Sequence, residues 1–258
     1  MPAPLGTHSP KLAEVRALLT KRGREEARRF TFEGATLLAE ALESGAPPEE
    51  LYATQAAWDG LGALRDRLAC PVFIVDARAA GRLSDLETPP GIVAVAKTRL
   101  HPPGAVLAGG SPALLLAGVG DPGNAGTLLR SAEIFGFGTV IFGSGGVEPY
   151  NPKVVRGSMG AIFRLMLGVA SPAELDEAAR QHGYAVIAAD RTGEPLANFP
   201  FGERPIVAIG NERRGTAGWL ARTDRTVAIP QTGRGESLNA AVAGSIVMYE
   251  FARCQARS

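Results

Sequence analysis

Ile229-Pro-Gln-Thr-Gly-Arg-Gly-Glu-Ser-Leu-Asn-Ala-Ala241 carries the chain from the end of an apolar run, through a glycine-rich loop, into a helix start crowded with polar groups. Glycines such as Gly233 let backbone approach a ligand closely, and Ser237 and Asn239 can cap the helix or donate from its first turn. The small residues Ala240, Ala241, Ala243 and Gly244 permit close packing behind the loop. Together these features describe a binding site at the end of a strand; a well-capped turn is the plainer alternative.

Working outward, this strand is the last of six apolar runs: Leu114 to Val119, Thr139 to Phe142, Phe163 to Val169, Ala185 to Ala189, Pro205 to Ile209 and Thr226 to Ile229. Helical patterns separate most of them. Near-continuously apolar strands alternating with helices predict an α/β fold with a mostly parallel six-stranded sheet covered on both faces. Ligands bind beyond the carboxyl ends of such strands, so the loops after Val119, Phe142, Ala189, Ile209 and Ile229 are the ones to inspect.

Upstream, Phe30 to Gly34, Leu51 to Thr54, Val72 to Asp76 and Ile92 to Ala96 read as strands, with a helix over Ala35 to Glu43. The division expected is a small α/β domain over residues 1–98, a Pro- and Gly-rich linker over 99–112 and a larger domain over 113–258. The 258 residues, 45% hydrophobic and 21% charged, suffice for two cores. Formal net charge is +1 and advertises no polyanion, but Lys11, Arg16, Lys21, Arg22, Arg24, Arg28 and Arg29 concentrate at the start. That run is either a solvated helix face or a phosphate-contacting surface.

Cys70 and Cys254 stand alone, without metal-ligand company or a disulfide framework. With no signal-peptide core and no apolar run near the ~20 residues that span a bilayer, a soluble cytoplasmic protein is expected. His8, His101 and His182 lie outside the glycine-rich loops, which disfavours triad hydrolysis and histidine-ligated metal chemistry.

Three loops carry chemistry. After the first strand, Gly118-Val-Gly-Asp-Pro-Gly123 matches a dinucleotide fingerprint formally, but the second strand ends in Phe142-Gly143-Ser144 and lacks the acid that holds a ribose. Pro122 and Asn124 read instead as a turn and helix cap. The helix that follows, Ala125 to Phe135, turns Leu128, Leu129, Ala132 and Phe135 to one side and Arg130 to the other. Arg130 is thus either solvated or part of an anion site. Asn151-Pro-Lys-Val-Val-Arg156 repeats a capped start with Lys153 and Arg156 behind it. Gly210-Asn-Glu-Arg-Arg-Gly215 places Glu212 at the edge of the sheet, open to a catalytic role, a ligand contact or an ion pair with a neighbouring arginine.

Asn124-x-Gly-x-x-x-Arg130, Gly210-Asn-Glu212 with Gly215, and Ile229-Pro-x-x-Gly-x-x-x-Ser-Leu-Asn239, in this order, resemble the SpoU (TrmH-like) RNA ribose 2′-O-methyltransferases of the SPOUT superfamily. The likeness runs from about Leu114 to Glu250, and Phe32-Glu-Gly-Ala-Thr-Leu-Leu-Ala-Glu-Ala-Leu42 is similar to the family's RNA-binding domain. The resemblance implies S-adenosylmethionine as cofactor, a C-terminal trefoil knot and a homodimer whose active site draws on both subunits. Carried over by motif position, Arg130, Asn124, Ser237, Asn239 and Glu212 become the catalytic set. Gly210, Ile229 and Leu238 become cofactor contacts, joined by Gly233 and the Ala189 strand end. RNA contacts are expected at Arg22, Arg24, Arg28, Arg29, Lys153 and Arg156, with no metal and no membrane partner. Gln231 stands where the family commonly has methionine, and Ala240-Ala241 where a valine-serine pair is frequent. An N-terminal domain of this kind favours ribosomal RNA over tRNA as target. A nicotinamide-dependent Rossmann enzyme and a noncatalytic RNA-binding module are the competing readings.

Overall fold

The computed structural model describes residues 2–211, 213–234 and 237–256, and the chain divides into two compact units. The first holds residues 1–98 together with 150–163; the second holds 99–149 and 164–258.

In the first unit, β1 (Ala3–Pro4), β2 (Arg29–Glu33), β3 (Glu50–Ala53), β4 (Val72–Ile74) and β5 (Ile92–Lys97) form a sheet in the order β1-β4-β3-β5-β2. The expected helix Ala35–Glu43 is present, its apolar face burying Leu37, Leu38 and Ala41. Residues 150–163 were read from the sequence as part of the C-terminal domain, yet they pack here, because their apolar side chains find partners on β2. Tyr150 lies over Phe30 with ring centroids 4.3 Å apart, and Phe163 meets Phe32 edge-on at 5.1 Å. Val154 and Val155 of the helix Pro152–Gly157 are fully buried.

One polar cluster accompanies this packing. Arg156 makes a two-pronged contact with Asp85 (2.5 and 3.1 Å) and lies 3.9 Å from Glu33, whose side chain is 4% exposed. Glu33 Oε2 has no hydrogen-bond partner among the described residues. Burial pushes the Glu33 carboxyl up from its ordinary 4.5; the Ser84 hydroxyl draws it back, Asp85 adds to the rise and Arg156 opposes it.

In the second unit all seven strands are parallel, in the order β12-β10-β11-β7-β8-β9-β6. They are β6 (Leu100–His101), β7 (Ala113–Ala117), β8 (Thr139–Gly143), β9 (Met166–Ala170), β10 (Ala185–Pro195), β11 (Pro205–Gly210) and β12 (Arg225–Ala228). Every residue of β7 and β8 is buried, as strands covered on both faces require. The expected six strands appear with small shifts of boundary, and β6 is a seventh that the Pro- and Gly-rich composition concealed. Residues 99–112 are therefore not a free linker: they hold β6 and the helix Pro103–Leu107, whose Val106 and Leu107 enter the core. The start of the expected Phe163 to Val169 strand is instead a 3₁₀ turn, Ala161–Phe163, in the first unit.

Two helices cover the functional end of this sheet. Pro122–Ile134 and Ala240–Gln255 pack against each other, with Ser131 and Ser245 hydroxyls 2.6 Å apart. Gly244 makes the approach possible: a Cβ there would lie 2.4 Å from Leu128 Cδ2 and 3.0 Å from Ile209 Cγ1. Among the described residues no helix is long and apolar enough to cross a membrane.

Two outcomes follow from this packing. Gly244→Ala should lower unfolding stability by about 1–3 kcal/mol, the usual cost of overpacking, in a urea titration. For Glu33, a raised native pKa means the folded state holds its proton more tightly. Its contribution is complete below the ordinary 4.5 and is lost as pH rises through the raised value. Glu33→Gln should therefore melt at or above the wild-type temperature at pH 8, with the gap closing towards pH 4.

Candidate active site

Because the sheet is parallel, the loops after β12, β10, β11 and β7 emerge from one edge of four neighbouring strands. The loops after β12 and β11 are each bonded to the loop and helix start after β7. After β7, Asp121 caps the helix by accepting from the Asn124 backbone N–H at 2.7 Å, and Pro122 occupies the first turn. The cap expected at Asn124 thus falls on Asp121, and the Asn124 side chain has a different partner. Asn124 Oδ1 accepts from Asn239 Nδ2 at 2.8 Å. Asn239 itself is the expected cap of Ala240–Gln255, its Oδ1 accepting from the N–H groups of Ala241 (2.8 Å) and Val242 (3.2 Å).

After β11 the chain turns back on itself, Asn211 and Gly215 exchanging backbone bonds of 3.2 and 2.8 Å. Gly210 is obligatory here: a Cβ would stand 2.1 Å from the Gly215 carbonyl carbon. The Asn211 side chain organises the turn. Its Oδ1 accepts from the Arg213 and Arg214 N–H groups at 3.0 and 3.3 Å, and its Nδ2 reaches across to the Gly118 carbonyl at 3.1 Å. Glu212 lies outside the described residues.

The β10–β12 ladder breaks between Ala189 and Glu194, both of which pair with Val227, so residues 190–193 loop out of the sheet. The Asp190 carboxylate closes that loop by accepting from the Thr192 N–H (3.0 Å) and hydroxyl (2.9 Å). Those bonds, the backbone one first, hold Asp190 below its ordinary range and make it a poor proton acceptor. Beside the loop is a cavity of about 280 Å³ lined by Arg191, Gly193, Pro195, Ala228, Ile229, Pro230 and Gln231. Its size is near the lower end of small-molecule sites, about 300 Å³.

Of the expected site residues, then, Asn124 and Asn239 touch, Ile229 lines the cavity and Ala189 ends the paired stretch beside it. Ser237, Gly233 and the 40%-exposed Leu238 are open to solvent on the loop between β12 and the last helix. Arg130 is exposed, and its guanidinium has no bond or ion pair among the described residues. Asp121 and Asn211 were legible only as members of quoted motifs, not as the residues that hold the loops in place. Trp219 was missed: its Nε1 donates to the Ser144 carbonyl at 2.9 Å and its ring fills the space beside Gly143, where a Cβ would come within 2.7 Å.

The expected RNA contacts are mostly engaged elsewhere. Arg24 is 4% exposed and donates to the Leu18 carbonyl at 2.6 Å. Arg22 pairs with Glu26, Arg29 with Glu49 and Glu50, and Arg156 with Asp85. Arg28 and Lys153 are exposed.

A glycine-permitted cleft at the carboxyl edge of a parallel sheet, bordered by Arg191 and Gln231, is a site for a small molecule. Solved methyltransferase structures superpose over nearly the whole chain. An AdoMet-bound rRNA methyltransferase from Sinorhizobium meliloti matches with a TM-score of 0.84 at 26% identity, covering 98% of this chain and 97% of that one. The SpoU methyltransferase AviRb from Streptomyces viridochromogenes, in complex with AdoMet, matches with a TM-score of 0.83 at 26% identity, covering 96% and 99%. In sequence, the 23S rRNA (guanosine(2553)-2′-O)-methyltransferase RlmP of Bacillus subtilis is 32% identical over 246 residues, 93% of this chain and 95% of the relative. Residues 111–249 match the model of the SpoU rRNA methylase family, and residues 9–94 that of the MRM3-like substrate binding domain. The protein belongs to the SpoU rRNA methylase family.

The doubled use of Asn239 is separable by mutation. Asn239→Ala should cost about 0.5–2 kcal/mol of stability through the lost cap. Asn239→Asp, which keeps the capping oxygen and removes the donor to Asn124, should leave thermal unfolding near wild type while impairing activity.

Proposed function

We infer that the protein transfers a methyl group from S-adenosylmethionine to a ribose 2′-hydroxyl of ribosomal RNA. The single observation that carries this is the Asn124–Asn239 hydrogen bond, which joins two of the family's motifs in one place. When bound, S-adenosylmethionine would supply a methyl carbon on a positively charged sulfur for the 2′-oxygen, with the carbon–sulfur electron pair going to sulfur and the hydroxyl proton to water.

The cavity suits this cofactor. Pro195, Ala228, Ile229 and Pro230 offer apolar wall for a purine, Arg191 a cation for a carboxylate, and Gly193 lets the two strands approach closely. Gly210, Gly233, Leu238 and Ala189 would complete the enclosure through backbone groups. A guanidinium with pKa above about 12 is a poor base, so Arg130 would stabilise the developing alkoxide or clamp a neighbouring phosphate. Asn124, Asn239 and Ser237 would orient the ribose, and Glu212 would support the pocket or the dimer.

A homodimer is part of the proposal, because Ile134 (71% exposed), Val242 (47%) and Tyr249 (54%) leave an apolar outer face on the paired helices beside Arg130. The trefoil knot and a cytoplasmic location go with it. Residues 9–94 would present the RNA, the role named by the substrate-binding model they match.

S-adenosylmethionine at 100-fold its dissociation constant should stabilise the protein by about 2.7 kcal/mol in a thermal-shift titration, whereas NAD should shift nothing. Arg130→Ala should lower the transfer of labelled methyl to ribosomal RNA by about 10²–10³-fold with the cofactor-induced shift intact. Turnover retained by that variant would remove Arg130 from the mechanism. Mapping ribose methylation in cells with and without the gene would identify the nucleotide.

A further inference from the structure

Two groups stand out among the arginines of the second unit. Arg164, Arg180, Arg222, Arg225 and Arg253 are each committed to a carboxylate. Arg130, Arg213, Arg214 and Arg234 are exposed and their guanidinium groups have no hydrogen bond or ion pair among the described residues. Three of the second group share one edge: Arg234 follows β12 and Arg213 and Arg214 follow β11, at the carboxyl ends of a parallel sheet, while Arg130 is on the helix after β7.

Asn211 commits its Oδ1 to the backbone N–H groups of both Arg213 and Arg214, so the turn is held by main chain and leaves both guanidinium groups to solvent. Of the acids in these loops, Asp190 has its Oδ1 bound by Thr192, and Glu212 and Glu236 lie outside the described residues. In the basic run of the first unit, Lys11, Lys21, Arg22 and Arg29 are ion-paired, with Glu50, Glu25, Glu26 and Glu49 among their partners, while Arg16 and Arg28 are exposed. A cation already neutralised releases fewer counterions on meeting a phosphate than one that is free.

Building on the RNA reading above, we propose that Arg213, Arg214 and Arg234 form the phosphate-contacting surface for the single-stranded RNA segment that delivers its ribose to the site. The ion-paired cations Lys11, Lys21, Arg22 and Arg29 of the first unit are not that surface. A reactive 2′-hydroxyl must be presented by a nucleotide freed from stacking, and the phosphates flanking it then lie within reach of cations that border the cleft.

The test uses the full-length protein and an unstructured oligouridylate, with affinity measured across a sodium chloride series. For single strands each phosphate contact contributes about 0.7 to the slope of log K against log salt. Arg213→Ala/Arg214→Ala/Arg234→Ala should flatten the slope by about 2, and the triple Lys variant should restore it, since a phosphate contact needs charge rather than a guanidinium fork. The S-adenosylmethionine thermal shift should match wild type in both variants, and Lys21→Ala/Arg22→Ala should keep the wild-type slope. An unchanged slope in the triple Ala variant, no rescue by Lys, lost cofactor binding, or equal flattening in Lys21→Ala/Arg22→Ala would each overturn the proposal. So would a wild-type protein that methylates ribosomal RNA yet shows no salt-dependent binding of the oligomer. A wild-type protein that transfers no methyl group to any ribosomal RNA would instead defeat the proposed function itself.

Discussion

One carboxamide holds the active end of the molecule together. The oxygen of Asn239 closes the exposed N–H groups at the start of the last helix, and its nitrogen is left pointing at Asn124 on the helix after β7. Neither contact is strong alone, each of the order of 1 kcal/mol. Their value is geometric: the terminus of the last helix cannot shift without breaking the bridge to Asn124. Behind it, the Ser131–Ser245 hydroxyl contact and the close approach at Gly244 keep the two helices in register, and with them the place where Arg130 projects.

The same economy appears after β11. Asn211 spends both ends of its side chain on backbone, tying its own turn and reaching the Gly118 carbonyl after β7. Two asparagines thus hold three loops in place, and among the described residues the guanidinium groups of Arg213, Arg214 and Arg234 have no hydrogen bond or ion pair. In the first unit the charges are used in the opposite way. Several of its cations pair with nearby carboxylates, and Arg156, brought in by residues 150–163, bonds Asp85 and offsets the burial of Glu33. An ionised group so placed contributes specificity of docking more than net stability.

Much of this was legible in the residues. Runs such as Ala113–Ala117 and Pro205–Gly210 are apolar without alternation because both faces are covered, and that alone implied a parallel sheet with its ligand edge at the carboxyl ends. Asn151 and Asn239 announced helix starts through their own capping chemistry. Where a local rule had two candidates the choice went astray: Asp121 and Asn124 both suit a cap, and only the position of Asn239 explains why Asn124 is kept for another bond. The Pro-rich stretch 99–112 hid β6 and a short helix, because breakers mark where elements end and not how short they can be.

By itself, then, the sequence determined the elements, the edge at which chemistry occurs and the family motifs, since these depend on periodicity, capping and residues a few positions apart. The tertiary structure decided what depends on partners distant in the chain. It assigned residues 150–163 to the first unit through the aromatic faces of Phe30 and Phe32. It also separated neutralised cations from free ones, because a positive charge in a sequence carries no record of the carboxylate that folding will set beside it.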